Sequence, residues 1–177
     1  MLLAGPEHWN AVRKDDDYRE ITLAGFRSSQ LAPDGSEAFD TRLSRYDFSF
    51  CRIEDATLDT CLIEKCDFTN SWLVGARIFA SKLDDCCFAG ANFIQCVFHY
   101  SDIRHCSFDF ATFTDCVFAE SSIRSILDLK QVEVRTKSAF DLGTVRKSLS
   151  TDNRELLAME LAILVELGLS REIVELI

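Results

Sequence analysis

The sequence predicts an all-β solenoid, closed at its N-terminal end by a short helical cap and followed by C-terminal α-helices. Three observations carry that prediction. Every fifth residue from Leu43 to Ile123 is Leu, Ile or Phe, seventeen positions in one phase. The residue two before each of these is, from Cys51 to Ser121, Ala, Ser or Cys fifteen times in succession. Both ends of the chain abandon this pattern and contain stretches of helical spacing. Neither the 3.6 period of a helix nor the period of 2 of a half-buried strand holds such a phase. A chain that turns about 90° every five residues does.

Residues 1–40 divide into a cap, an irregular coil and a loop. Pro6 to Arg13 forms a short helix, with Pro near its start and Trp9 and Val12 one turn apart, and Trp9 is expected to plug the first coil. Ile21, Phe26 and Leu31 keep a spacing of five but in a different phase from the main series, with Ala24 and Ser29 as small residues before the last two. The offset is expected to be absorbed by a loop over 32–40, where Pro33-Asp34-Gly35-Ser36 supplies turn chemistry.

Residues 41–126 form the regular rod. Segments such as Cys66-Asp67-Phe68-Thr69-Asn70 and Ala91-Asn92-Phe93-Ile94-Gln95 resemble the A-(D/N)-(L/F)-x-x unit of the pentapeptide-repeat family. The resemblance runs unbroken from Thr41 to Ser125 and implies a right-handed quadrilateral β-helix with four repeats per coil. Residues twenty apart should then stack. Phe48, Phe68, Phe88 and Phe108 are all aromatic, while Leu43, Ile63, Leu83, Ile103 and Ile123 are all aliphatic. With coils about 4.8 Å apart, seventeen repeats give a rod about 20 Å long whose interior is filled by its own side chains.

Residues 127–177 hold a last strand or partial coil and then helices. The next repeat centre would be Asp128, so the strict pattern fails, yet Leu127, Leu129, Val132 and Val134 suggest one more strand. Asp152 with Glu155 resembles a capping box that opens a helix to about Leu167, stopped by Gly168, and Ser170 opens a second helix to Ile177. Leu156, Leu157, Met159, Leu161, Leu164, Val165 and Leu167 wrap most of the first helix, which must be buried either on the end of the rod or in a homodimer interface.

The chain, of 177 residues with 47% apolar content and a net charge of −10, reads as one domain without a signal peptide or membrane span, expected in the cytoplasm. Its acidity disfavours direct binding to nucleic acid or to an anionic membrane. Seven of its eight cysteines, Cys51, Cys61, Cys66, Cys86, Cys96, Cys106 and Cys116, fall in the inward small-residue series and read as core packing, with only Cys87 outside it. Their parallel stacking suits a disulfide poorly. His8, His99 and His105 share no face, and no phosphate loop or nucleophile elbow occurs. No catalytic, cofactor-binding or metal-ligating residues are therefore expected, and the chain is read as a non-enzyme.

Function is sought on the outside. The resemblance implies one possibility: characterised relatives modulate or protect type II topoisomerases such as DNA gyrase by imitating the width and charge of duplex DNA. Here residues 41–126 hold 8 basic and 12 acidic side chains, and on one face Glu64, Asp84, Asp85 and Asp102 interleave with Lys65, Lys82, Arg104 and Arg124, which imitates phosphate poorly. The favoured expectation is a scaffold that binds a protein partner. The third and fourth faces carry Trp72, Val74, Phe79, Ile94, Val97, His99, Tyr100 and Val117 at outward positions where polar residues are expected. Such a patch marks an interaction site or is covered by the terminal segments.

Overall fold

The computed structural model describes residues 4–15, 22–27, 41–123, 132–135, 138–141, 144, 145, 148 and 165. They include the helix α1 (Pro6–Asp15) and a parallel solenoid with four sides. The first face stacks Thr41–Ser44, Cys61–Glu64, Lys82–Asp84, Asp102–Arg104 and Ser122–Ile123. The third runs from Thr22–Ala24 through Arg52–Glu54, Trp72–Val74, Asn92–Ile94 and Thr112–Thr114 to Glu133–Arg135. The fourth stacks Thr57–Asp59, Arg77–Phe79, Val97–His99, Val117–Ala119 and Ala139–Phe140. Register is twenty residues per coil, as Leu73↔Phe93 and Ile78↔Phe98 show.

The second face is held by single bridges through Asp47, Asp67, Cys87 and Ser107. Its regular ladder is interrupted because the Phe68 carbonyl turns back to accept the N–H of Ser71, three residues on, and Phe48, Phe88 and Phe108 do the same in their coils. Each corner is made by the residue two after the repeat centre, and all sixteen such positions from Arg45 to Glu120 have positive φ although only Gly75 and Gly90 are glycine.

The interior matches the expected alternation of large and small. Phe48, Phe68, Phe88 and Phe108 stack at centroid distances of 5.0, 4.8 and 5.1 Å, and Phe98, Phe118 and Phe140 at 4.6 and 4.7 Å. Small positions do more than fill space. Ser81 Oγ donates to the Leu58 carbonyl at 2.9 Å and accepts the Cys61 N–H at 2.8 Å, and Ser101 repeats the pattern one coil later with Ile78 and Ser81.

Both ends are closed by side chains. On the second face the first coil has no strand beneath it among the described residues, and α1 lies there instead. Trp9 is 1% exposed, Asn10 exchanges hydrogen bonds with Arg45 O and Asp47 N at 2.8 and 2.9 Å, and Arg13 donates to the Ser49 carbonyl. At the far end Glu133–Arg135 and Ala139–Phe140 continue the rod past Ser125, as Val132 and Val134 suggested. There Asp141, Thr144 and Ser148 offer side-chain oxygens to the N–H groups of Glu120, Ser121 and Ile123.

Two sequence expectations are corrected or left open. Phe26 is not the centre of a coil in a separate phase: Leu23 pairs with Ile53, in phase with the main series, and Phe26 stands at the level of Ala56, a small position. Ile21, Leu31 and the loop expected over 32–40 lie outside the described residues. Phe26 fits because it belongs to the terminal coil, where it is only half-buried. Of the C-terminal helices, Val165 alone falls among the described residues, so Leu156, Leu157, Met159, Leu161, Leu164 and Leu167 lie outside them. No helix of the described residues is long and apolar enough to cross a membrane.

Candidate functional site

Because inward positions are spent on packing, every chemically available side chain stands one place before, one after or two after a repeat centre. On the first face these positions are charged and self-paired: Arg42 with Glu64 at 2.6 Å, Lys82 with Asp84 at 2.7 Å, Arg104 with Asp102, and His105 with Asp84 at 2.8 Å. The Arg42 hydrogen bond holds the Glu64 carboxyl below its ordinary range, and those from Lys82 and His105 do the same for Asp84. Of the interleaved charges read from the sequence, Lys82 with Asp84 and Arg104 with Asp102 form neutralising pairs, Glu64 pairs with Arg42 instead, and Arg124 lies outside the described residues.

The expected apolar patch divides into two clusters on adjacent faces. On the third face Val74 is in register with Ile94, both half-buried, and Trp72 is 41% exposed with the Arg52 guanidinium 5.9 Å from its ring centroid. Arg52 is held there by Glu54 at 2.5 Å. On the fourth face Val97 is in register with Val117, and His99 with Phe79. The rings of Phe79, His99 and Tyr100 form one cluster. Phe79 meets His99 at 5.4 Å and Tyr100 at 6.0 Å edge-on, and His99 stacks on Tyr100 at 4.3 Å. Phe79 and Tyr100 remain 43% and 55% exposed.

A groove of 430 Å³ runs beside this cluster, lined by Thr57, Asp59, Arg77, Ile78, Phe79, Val97 and His99. Thr57, Asp59 and Arg77 escaped the sequence reading because polar residues at outward positions look like ordinary solvated surface. Phe50 and Phe110 also escaped it. Both are exposed, at corners of the second face, and a search for apolar residues two after each centre finds them with Tyr100.

The thiols are placed as packing groups. All seven inward cysteines are buried and Cys87 is half-buried. Cys66, Cys86, Cys96 and Cys116 donate to carbonyls of the preceding coil at 3.2–3.5 Å. A hydrogen bond to Cys86 and then burial push the Cys106 thiol up, and the bond to Cys116 followed by burial does so for Cys96. For Cys86 the bond with Cys106 acts downward, but the bond with Cys66 and burial outweigh it and bring the thiol to about 12. The bond with Cys96 acts downward on Cys116, while the thiols of Cys86, Cys96 and Cys106, kept protonated and enclosed, are poor nucleophiles.

Residues 80–115 match the family model of pentapeptide repeats in eight copies. No curated protein sequence matches the chain. Among solved structures, a trypsin-treated variant of QnrB1, a plasmid-mediated fluoroquinolone resistance protein, is 12% identical with a TM-score of 0.40, over 86% of this chain and 91% of that one. Rfr23, a pentapeptide repeat protein from the cyanobacterium Cyanothece 51142, is 16% identical with a TM-score of 0.31, over 75% and 97%. A protein from Parabacteroides merdae, described as a candidate glycosyl hydrolase, is 14% identical with a TM-score of 0.40, over 76% of each chain. Likenesses this distant carry nothing about activity. The eight matched repeats lie inside the parallel four-sided solenoid, so residues 80–115 are similar to pentapeptide repeats both in sequence and in the coil they build.

Proposed function

We propose that the chain is a non-enzymatic, cytoplasmic scaffold that binds a protein partner through the outward side chains of its third and fourth faces. One observation supports this above the rest. Trp72, Phe79, Tyr100 and Val117 are 39–55% exposed on two adjacent faces, while the first face presents paired charges. Clustered apolar exposure of this kind is characteristic of interaction surfaces.

The test places a photo-crosslinking residue at Tyr100 in intact cells, with Thr69 on the second face as control. A discrete adduct from position 100, lost on Trp72→Ser or Phe79→Ser in a protein of unchanged thermal stability, is the expected result. If the serine variants melt early and no adduct forms, the patch is internal packing. The C-terminal helices enter the same proposal as a cap or a dimer contact. Sedimentation of the full chain carrying Leu161→Lys and Leu164→Lys separates these: a dimer lost at constant stability identifies an interface.

The alternative, a DNA mimic acting on a type II topoisomerase, needs an array of uncompensated negative charge along the rod. The self-paired first face weighs against it. Supercoiling by DNA gyrase, with and without a quinolone, is expected to be unchanged by micromolar protein, and an altered response would favour the mimic.

A further inference from the structure

The fourth face specifies the chemistry of what it holds, an inference that rests on the partner-binding role proposed above. Two ladders of outward side chains run along the rod axis there. Thr57, Arg77 and Val97 form one, and Asp59, Phe79 and His99 the other, in register from coil to coil. Positions two apart on a strand are about 7 Å apart. The groove between the ladders, floored at Ile78, therefore has the width of one extended side chain. Phe79 gives one wall an aromatic surface. Asp59 stands one coil before Phe79, and Glu120 one coil after Tyr100, so the aromatic cluster has a carboxylate at each end.

We propose that this groove receives an arginine side chain of the protein partner. A planar guanidinium stacks on an aromatic ring and pairs with a carboxylate in the same pose, and Phe79 and Asp59 are neighbours in one ladder. The aliphatic stem of the arginine lies against Val97. The net charge of −10 steers cations toward the surface. A flat sugar fits less well, because Phe79 and Tyr100 meet at 86° and share no plane on which a ring could rest. An anion would face Asp59. Arg77, on the opposite ladder, opposes a cation, and this gives the proposal a sign that can be tested.

The experiment titrates the full-length protein with a tetra-arginine peptide and with tetracitrulline, its uncharged counterpart of the same shape, following the ring resonances of Phe79 and Tyr100. Tetra-arginine is expected to move both and tetracitrulline neither. Phe79→Leu should weaken binding about two- to five-fold, Asp59→Asn should weaken it too, and Arg77→Gln should strengthen it. The last two substitutions lie at exposed or half-buried positions and keep the test valid should Phe79→Leu disturb folding. Binding indifferent to Phe79→Leu and Arg77→Gln is diffuse attraction to an acidic protein and overturns the proposal, as does no binding. A Tyr100 adduct in cells without arginine selectivity would discard this inference and leave the scaffold role standing. Loss of both would remove both.

Discussion

Trp9 lies over Phe48 with 5.8 Å between ring centroids and donates its indole N–H to the carbonyl oxygen of Asp47 at 2.6 Å. A helix thereby does what another coil would do: it covers the last aromatic ring of a stack and satisfies the backbone beneath it. Asn10 and Arg13 complete the replacement by bonding Arg45, Asp47 and Ser49. Exposed solenoid ends are templates for edge-to-edge association, so α1 is a structural necessity before it is anything else.

Trp9→Ala is accordingly expected to destabilise the rod by about 3–5 kcal/mol, the range for removing a large buried aromatic. Trp9→Phe retains a ring but strands the Asp47 carbonyl and should cost roughly 1–2 kcal/mol. Urea titration measures both. Light scattering should report self-association for the alanine variant below its unfolding midpoint, and equal midpoints for the two variants would show that the ring contributes nothing.

The corners carry a second prediction. Gly90 has a φ of +66°, and a Cβ placed there would collide with Asn70 Oδ1 of the preceding coil. Gly90→Ala is expected to cost about 1–2 kcal/mol through left-handed strain, the Asn70 amide being the end of a side chain that can turn aside. Thr60 has the same sense of turn, with a φ of +51°, but is β-branched. Thr60→Gly should raise stability by about 0.5–1 kcal/mol, since release of strain exceeds the entropy glycine adds to the unfolded chain. Thermal melts that shift both variants downward would show that Thr60 is held by contacts worth more than its strain.

The cysteines predict a pattern of reactivity and a pH dependence. Cys87 should react with a thiol reagent in the native protein while the seven buried thiols wait for unfolding. The bond between Cys96 and Cys116 pushes those two thiols in opposite directions. Because Cys86 and Cys106 hold their protons more tightly when folded than the ordinary 9.0, their contribution to stability is complete below that pH. It is lost as the pH rises, since the unfolded chain then releases protons that the native chain keeps. Each such thiol adds at most about 1.4 kcal/mol per pH unit to the decline. For Cys86 the window runs from 9.0 to about 12, and Cys86→Ala should flatten the alkaline slope measured by urea midpoints between pH 8 and 11.

How far the sequence foretold these arrangements depends on what each rests upon. The rod was legible because its core admits one large and one small side chain per repeat, so Phe68 and Cys66 have no freedom that neighbouring coils do not set. Where a coil has only one neighbour the rule relaxes. Tyr46 occupies a small position beside Phe48, Phe26 another, and the register slips to 21 residues at Phe113↔Val134 and 22 at Phe118↔Phe140. A strict count of five loses the chain at those points. The hydrogen bonds of Asn10 and Arg13 reach backbone carbonyls, which leave no mark in a sequence. On the surface, Phe79 and Tyr100 were visible as apolar exceptions to a polar rule, whereas Asp59 and Arg77 obeyed the rule and became noticeable only once the ladders stood side by side.

The C-terminal edge gives the last prediction. In the rod, the N–H at each corner bonds to a carbonyl of the next coil, as Tyr100 does to Ala119. At Glu120 the N–H donates instead to the Asp141 carboxylate oxygens at 3.0 and 3.1 Å, and the Ser121 N–H donates to Thr144 Oγ1 at 3.0 Å. Asp141 thus ends the ladder with a side chain that cannot template another strand. Asp141→Ala removes an ionised acceptor from a partly buried N–H and is expected to cost about 1.5–3 kcal/mol. The loss should be local. Hydrogen exchange should quicken at Glu120 and Ser121 while the amides of Phe68 and Trp72, two coils away, keep their protection, because openings at a solenoid end do not require the middle to unfold. Uniform acceleration along the rod would instead show that its coils melt as one unit and that Asp141 anchors all of them.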